Sequence, residues 1–174
     1  MINPDRQPLE SSPVHGRIRT RGLDNRLGAV YAALYSFWTA RQASSARQRD
    51  RDANTVILHA QNARSVCESD TTRSPDRLLD LLLPHRPASG NDFNQALNAA
   101  DMVISKWWDD SRPPVIIFLS DGIASVADTA VQRLFHNAAQ KGCVALNYWD
   151  LYNSKLTLRA AKDSRCTPSC SVPK

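Results

Sequence analysis

The sequence Pro113-Pro-Val-Ile-Ile-Phe-Leu-Ser-Asp-Gly122 contains five consecutive apolar residues followed by a polar turn. Such a run, without polar alternation, predicts a strand that is buried on both faces at the centre of a parallel sheet. Open α/β sheets bind ligands beyond the carboxyl ends of their strands, so Asp121 is the first candidate for a functional residue. The alternative is that Asp121 and Gly122 only form the turn that leaves the strand.

Helical and strand patterns alternate on both sides of this central strand, and short apolar segments separate amphipathic ones. The predicted elements are a helix from Leu27 to about Arg41, a strand at 55–60, an antiparallel edge strand at 63–68, a helix capped by Ser74, a helix that begins near Asp92, a helix around 131–139 and a strand that begins near Cys143. This order predicts an α/β fold with an open, mostly parallel, Rossmann-like sheet flanked by helices.

Both ends of the chain lack this regular pattern. Residues 1–23 combine prolines and glycines with charges, which predicts a flexible N-terminal segment. We place the folded domain at residues 24–149. The last segment, 150–174, is predicted to be an irregular tail, although Lys155 to Ala161 has the composition of a short helix or strand.

The charge and the apolar runs limit the classes of partner. The 174-residue chain carries a formal net charge of +5, much of it from scattered arginines without interleaved aromatic residues, so nucleic acid is a disfavoured partner. No run is long enough to cross a bilayer, and the polar first ten residues lack the apolar core of a secretion signal. We therefore expect an intracellular, cytoplasmic protein without a membrane partner.

Two loops are candidates for a binding site. One is Ser120-Asp121-Gly122, and the other is the small-residue loop that contains Gly90, Asn91 and Asp92. If both loops rise from the same sheet edge, their side chains bring together oxygen ligands of the kind that Mg²⁺ requires. For Asp92, we favour a structural role as the N-cap of the following helix.

The order of these elements resembles a von Willebrand factor A (VWFA) domain of the intracellular eukaryotic type. Two segments carry the resemblance, which covers roughly residues 24–146: Gly90-x-x-Phe93-x-x-Ala96-Leu97 and Phe118-Leu-Ser-Asp-Gly122. The resemblance implies a metal-ion-dependent adhesion site. Asp121 matches the family's metal-binding Asp, and Asn91 stands where the family has Thr.

This implied site is degenerate, because the family's first strand and its Asp-x-Ser-x-Ser loop have no counterpart before Asp24. The segment Asp70-Thr-Thr-Arg-Ser74 has a similar pattern, but it follows the predicted edge strand and supplies a helix cap. We therefore interpret the chain as a truncated VWFA-like domain. Asp121 and Asn91 would bind Mg²⁺ weakly or not at all, and no other cofactor is implied.

The resulting expectation is a non-catalytic protein-binding module that contacts its partner through Gly90, Asp92, Ser120 and Gly122. No short catalytic signature is present, and the four histidines are in separate elements. One alternative is a metal-assisted hydrolase with Asp121 as a metal ligand and His59 as the base. Another is an inactive fragment of a larger multidomain protein.

Overall fold

The computed structural model describes residues 10–44, 52–109, 111–112, 114–120, 128–141, 144–150 and 155–160. These residues form five helices and five strands. In chain order they are α1 (His15–Thr20), α2 (Arg26–Ala43), β1 (Asn54–His59), β2 (Ala63–Asp70), α3 (Pro75–Leu82), α4 (Phe93–Lys106), β3 (Val115–Ser120), α5 (Asp128–Lys141), β4 (Val144–Asp150) and β5 (Lys155–Ala160). The chain is therefore of mixed α/β class, as predicted.

The described strands form two sheets, in the orders β1-β2 and β3-β4-β5. β1 and β2 pair antiparallel, as predicted for this hairpin. β3 pairs in parallel with β4 through the crossover helix α5, whereas β4 and β5 pair antiparallel. Among these strands, parallel pairing is therefore confined to β3 and β4, and the predicted single, mostly parallel sheet is not observed.

Side-chain caps fix the beginnings of α2, α3 and α4, at Asn25, Ser74 and Asp92. The Asn25 side chain accepts a hydrogen bond from the backbone N–H of Gly28 at the start of α2. At the start of α3, Ser74 accepts one from Arg77, and Pro75 occupies the first turn. Such caps satisfy N–H groups that have no partner inside the helix, so they define the boundary locally.

The larger apolar core lies where α1, α2 and α3 pack with the β1–β2 hairpin. Its fully buried side chains include Tyr31 of α2 together with Leu79 and Leu82 of α3. Val56 and Leu58 of β1 are partly buried against the same cluster. Helix α4 contacts both strands of the hairpin as well.

The prediction of a flexible segment at residues 1–23 is wrong for its described part, because α1 forms there. Val14, Ile18 and Leu23 are 2 %, 0 % and 0 % exposed, so they anchor this part of the chain in the larger core. The intervening Arg17 points outward and pairs with Asp76 and Asp80 of α3 at 2.6 and 2.7 Å. The apolar anchors Val14 and Ile18, one helical turn apart, and the following Leu23 were enough to outweigh a composition that combines charges with prolines and glycines.

Strand β3 is buried on one face only, contrary to the prediction from its apolar sequence. Phe118 and Ser120 are buried towards α4 and α5, and Phe118 packs in a cluster with Ala96, Leu97 and Ala130. On the opposite face, Val115 and Ile117 are 60 % and 52 % exposed. An unbroken apolar run indicates two faces that could be buried, but the described residues cover only one.

The prediction of an irregular tail from residue 150 is wrong at Lys155–Ala160, which forms β5. This strand pairs antiparallel with β4, with Leu156 opposite Tyr148 and Leu158 opposite Leu146. Its sequence, Lys-Leu-Thr-Leu-Arg-Ala, alternates polar and apolar residues with the period of a strand. That alternation could have decided between the short helix and the strand, which the prediction left open.

A charged contact connects β2 to the C-terminal end of α4. Glu68 Oε2 accepts hydrogen bonds from Lys106 Nζ at 2.8 Å and from Trp107 Nε1 at 3.1 Å. These bonds favour the ionised carboxylate, and they lower the pKa of Glu68 to about 2. The ordinary value of the group is 4.5.

We expect this contact to make the protein acid-sensitive. A carboxyl group whose pKa is lowered by folding stabilises the protein above its unfolded pKa, and that contribution is lost as pH falls through the folded pKa. The free energy of unfolding should therefore fall less between about pH 4.5 and about pH 2 in Glu68→Gln than in the natural chain. Urea titrations across this window measure the difference. Lys106→Gln should also reduce the pH dependence of the free energy of unfolding. If that free energy falls with pH as steeply in both variants as in the natural chain, the contact of Glu68 with Lys106 is not the cause of the acid sensitivity.

Candidate functional site

Three aromatic rings bring together the ends of β1, α4 and β3. The ring of His59, the last residue of β1, stacks on Phe118 of β3 with 5.0 Å between centroids. Phe93, the first residue of α4, meets both rings edge-on, at 5.8 Å from His59 and 5.1 Å from Phe118. The C-terminal parts of two strands and the N-terminus of a helix therefore converge at one edge of the fold.

The loop before α4 is fixed against the turn that follows β1. The backbone N–H of Asp92 donates a hydrogen bond to the carbonyl oxygen of Ala60 at 2.8 Å. Gly90 has a φ of +101°, and a Cβ atom there would lie 2.8 Å from the backbone nitrogen of Gln61. Only glycine combines this left-handed backbone with so close an approach, so Gly90 sets the path of the loop.

Asp92 has the capping role that the sequence favoured. Its Oδ1 accepts a hydrogen bond from the backbone N–H of Gln95 at 3.1 Å, which satisfies one of the first N–H groups of α4. The carboxylate also lies at the positive end of the helix dipole. Asp92 therefore holds the helix N-terminus in place beside the candidate binding loop.

Replacing Asp92 by Ala should lower the free energy of unfolding by about 1 kcal/mol, the usual effect of removing an N-cap. Asp92→Asn is the matched control, because its amide oxygen can still accept the bond from Gln95. Urea denaturation of the two variants measures the difference. Equal losses in both variants would mean that the charge of Asp92, and not its cap hydrogen bond, provides the stabilisation.

The predicted site residues are only partly within the described chain. Gly90, Asn91 and Asp92 lie on the loop before α4, and Ser120 ends β3 with 3 % of its surface exposed. The contact between Phe93 and Phe118 places this loop on the same edge as the end of β3. The predicted residues Asp121 and Gly122 lie outside the described residues.

The described side chains do not by themselves make a divalent-cation site. In that part of the chain, no group of three or more His, Cys, Asp or Glu residues is arranged to hold a metal ion. Asn91 supplies a neutral amide oxygen, while one carboxylate oxygen of Asp92 accepts the capping bond. Because Mg²⁺ is bound mainly through carboxylates, Asn91 needs a further acidic ligand, and Asp121 remains the predicted one.

The similar pattern at Asp70–Ser74 is a structural turn. One Asp70 oxygen accepts hydrogen bonds from the backbone N–H groups of Thr72 at 2.9 Å and Arg73 at 3.0 Å. The other oxygen pairs with the Arg73 guanidinium. Burial raises the pKa of Asp70, but the hydrogen bonds from Arg73 and Thr72 outweigh it and lower the pKa overall. These bonds fix the turn between β2 and α3. This structural role agrees with the prediction that the segment supplies a helix cap at Ser74.

The importance of Phe118 was not apparent from the sequence. In a run of five apolar residues nothing distinguishes the one that meets α4 from its neighbours. The stacking of His59 on Phe118 depends on the tertiary structure, because the two residues are far apart in the chain. The spacing of Gly90 and Phe93 was visible in the sequence, but their contacts with Gln61 and Phe118 depend on the tertiary structure.

Comparison of the chain with protein-family models, with curated proteins and with solved structures gave no match. The resemblance to VWFA domains therefore remains a prediction from the two sequence segments and the order of elements. In the described part of the chain, no helix has both the length and the apolar character needed to cross a membrane.

Proposed function

We propose that this chain is a non-catalytic, VWFA-like protein-binding module with a degenerate metal-ion-dependent adhesion site. Its partner contacts the edge formed by Gly90, Asn91 and Asp92 together with the end of β3 at Ser120 and the following Asp121-Gly122. The observation that carries the proposal is the packing of Phe93 on Phe118, which holds the loop and the strand end at one edge.

The βαβ unit formed by β3, α5 and β4 supports a Rossmann-like origin of the fold. Its parallel ladder pairs Val115 with Ala145 and continues to Ser120 opposite Asp150. A complete VWFA sheet would have one further strand between β1 and β3. Among the described strands, β1 and β3 belong to separate sheets.

Two contacts favour binding over the alternative of metal-assisted hydrolysis. The His59 ring stacks on Phe118 and meets Phe93 edge-on, so it contributes to aromatic packing. Asp92 accepts the hydrogen bond that caps α4, so one of its carboxylate oxygens already has a partner. A general base must reach the proton that it abstracts, so the packing role of His59 leaves the hydrolase alternative dependent on Asp121 alone.

The proposal is tested by affinity capture of partners from cell extract with Gly90→Ala and Gly16→Ala. A Cβ atom at Gly90 collides with Gln61, whereas one at Gly16 has no atom within 4 Å, so only the first variant should lose the captured protein. Thermal unfolding must show that both variants are folded. Equal capture by the two variants would mean that the partner binds another surface. Hydrolysis of nitrophenyl esters that is abolished in Asp121→Ala would mean that the chain is an enzyme.

Mg²⁺ should change the stability of the chain very little. A cation that binds the native state with a Kd of about 5 mM, added at about 5 mM, stabilises it by only about 0.4 kcal/mol. Thermal unfolding with Mg²⁺ and with EDTA measures this, and Asp121→Ala is the control. A substantially larger stabilisation that disappears in Asp121→Ala would show an intact metal site and contradict its degenerate character.

A further inference from the structure

An open groove of about 360 Å³ lies between strand β2 and helix α4. Most of its lining is small or apolar: Ala63 and Ser65 of β2, and Ala99, Met102 and Val103 of α4. The ion-paired side chains of Glu68 and Lys106 also line it, and they leave it without a net charge. Because Met102 is 67 % exposed, the groove is accessible from solvent. Its chemistry suits apolar side chains of moderate size.

Strand β2 has an available edge beside this groove. Within the described residues, the hydrogen bonds of β2 are made with β1, with the turn at Thr72 and with the end of α4. No described strand lies on its other side. An edge strand directs alternate N–H and C=O groups away from its neighbour, where they can pair with another strand. A strand added there would extend the sheet and direct every second side chain into the groove.

Arg64 lies between Ala63 and Ser65 and gives the added strand a charge preference. Successive side chains of a strand point to opposite faces, so Arg64 lies away from the groove, opposite Leu58 of β1. Arg64 is exposed, and the ion pairs formed within the described residues do not include it. Opposite charges directly across two strands stabilise their pairing. The favoured occupant therefore has an acidic residue opposite Arg64 and an apolar residue on each side of it, directed into the groove.

The groove is continuous with the proposed binding edge. Ala63, the first residue of β2, comes just after the turn at Gln61. The candidate loop is packed on this turn, because a Cβ atom at Gly90 would lie 2.8 Å from the backbone nitrogen of Gln61. The backbone N–H of Asp92 also donates a hydrogen bond to the Ala60 carbonyl oxygen. A partner that contacts the loop therefore meets the start of β2 as well.

This chain does not supply the favoured occupant from its own sequence. Of its 17 acidic residues, three have apolar residues on both sides: Asp80, Asp101 and Asp150. Asp80 and Asp101 lie within helices α3 and α4. Asp150 ends β4, where it already pairs with Ser120 of β3. Neither another part of this chain nor a second copy therefore fits the pattern, and the occupant belongs to a different protein.

We propose that an extended segment of a partner polypeptide, with the pattern apolar–acidic–apolar, adds to the open edge of β2. Its two apolar side chains enter the groove between β2 and α4, and its acidic side chain pairs with Arg64. This inference deepens the proposed protein-binding function and rests on it, since it names the chemistry of one segment of the partner. It uses the edge of β2, whereas the candidate site uses the loops beside it.

The test uses the full chain and the blocked synthetic peptide Thr-Val-Glu-Val-Thr. Hydrogen exchange measured by mass spectrometry should show that the peptide at millimolar concentration slows exchange in Ala63–Asp70. The control peptide has Lys in place of Glu, and it should bind about fivefold more weakly because like charges then face each other across the strands. Arg64→Glu should reverse this preference. Unchanged exchange in β2, or the same preference in both chains, would overturn the proposal.

A second pair of variants tests the groove. Ala99→Trp fills the groove and should abolish the protection of β2 by the peptide. Gln95→Trp is the matched control, because Gln95 is exposed on the same helix and lies outside the groove lining. It should leave the protection unchanged, and thermal unfolding must show that both variants are folded. Equal protection in the two variants would mean that the peptide does not use the groove, which would overturn the proposal.

The chain without peptide provides a further test of the open edge. Exchange in β2 should then be faster than with peptide, and light scattering should give the monomer mass. If exchange in β2 is already slow and the peptide does not change it, the edge is covered by this chain itself in a monomer, or by a second copy in a dimer. Either result would overturn the proposal.

Failure of this inference can be distinguished from failure of the proposed function. Capture of the partner from cell extract should be reduced in both Gly90→Ala and Arg64→Glu. Loss of the partner in Gly90→Ala but not in Arg64→Glu would overturn the inference and leave the loop-binding module intact. Loss in Arg64→Glu but not in Gly90→Ala would support the groove and reject the loop as the binding site.

Discussion

Replacing Phe93 by Ala is expected to lower the free energy of unfolding by about 3–5 kcal/mol, the range for truncating a buried phenylalanine. Phe93 is 1 % exposed and belongs to the smaller core with Ala96, Leu97, Phe118 and Ala130. Its removal leaves a cavity where the ends of β1, α4 and β3 meet. The change should therefore also release the loop from the end of β3.

Urea denaturation measures the loss, and hydrogen exchange in residues 88–92 reports whether the loop opens. Met102→Ala is the matched control on the same helix, because Met102 is 67 % exposed. A surface substitution of this kind should change the free energy of unfolding by no more than about 0.5 kcal/mol. Similar effects of the two substitutions would mean that the aromatic cluster does not hold the site together.

Replacing Gly28 by Ala is expected to destabilise the chain by about 3 kcal/mol, the upper end of the usual range for overpacking. A Cβ atom at Gly28 would lie 1.9 Å from the Leu23 carbonyl oxygen and 2.7 Å from Cγ2 of Ile18. Both neighbours belong to fully buried residues, so they have little room to move. The result has the opposite sign to helix propensity, which favours Ala over Gly by about 1 kcal/mol.

Gly16→Ala is the control for this second prediction. Gly16 is also helical, in α1, but a Cβ atom there would have no atom within 4 Å. Alanine should therefore stabilise the chain by about 0.5–1 kcal/mol through its helix propensity and the lower entropy of the unfolded chain. Thermal and urea unfolding compare the two variants. A Gly28→Ala chain as stable as Gly16→Ala would mean that α1 is not packed against α2.

Local signals predicted much of the secondary structure and part of the candidate site. The caps at Ser74 and Asp92 were correct, since a cap depends on residues about three positions apart, and Asn25 is the cap where the sequence had left Asp24 or Asn25 open. The strand at Val115–Ser120 was also placed correctly by its apolar run. Helix α1 was missed because its stability comes from the burial of Ile18 in a distant cluster, and composition does not reveal that contact.

The site shows the same division between local and long-range information. The sequence indicated that Gly90 and Asp92 belong to a loop that opens into a helix. The contact of Gly90 with Gln61 and the stacking of His59 on Phe118 join residues that are far apart in the chain. The ligand role of Asp121 remains a prediction, because this residue lies outside the described part.

The sequence by itself determined most of the helices and strands, with the exception of α1 and β5, because periodicity, caps and β-branched runs act over a few neighbouring residues. Beyond the β1–β2 hairpin, only the tertiary structure decided which strands pair and which faces are covered. Val115 and Ile117 have the same apolar character as Phe118, yet they are 60 % and 52 % exposed while Phe118 is buried. The physical reason is that burial depends on what packs against a face, and here α4 and α5 cover one face of β3 while no described element covers the other.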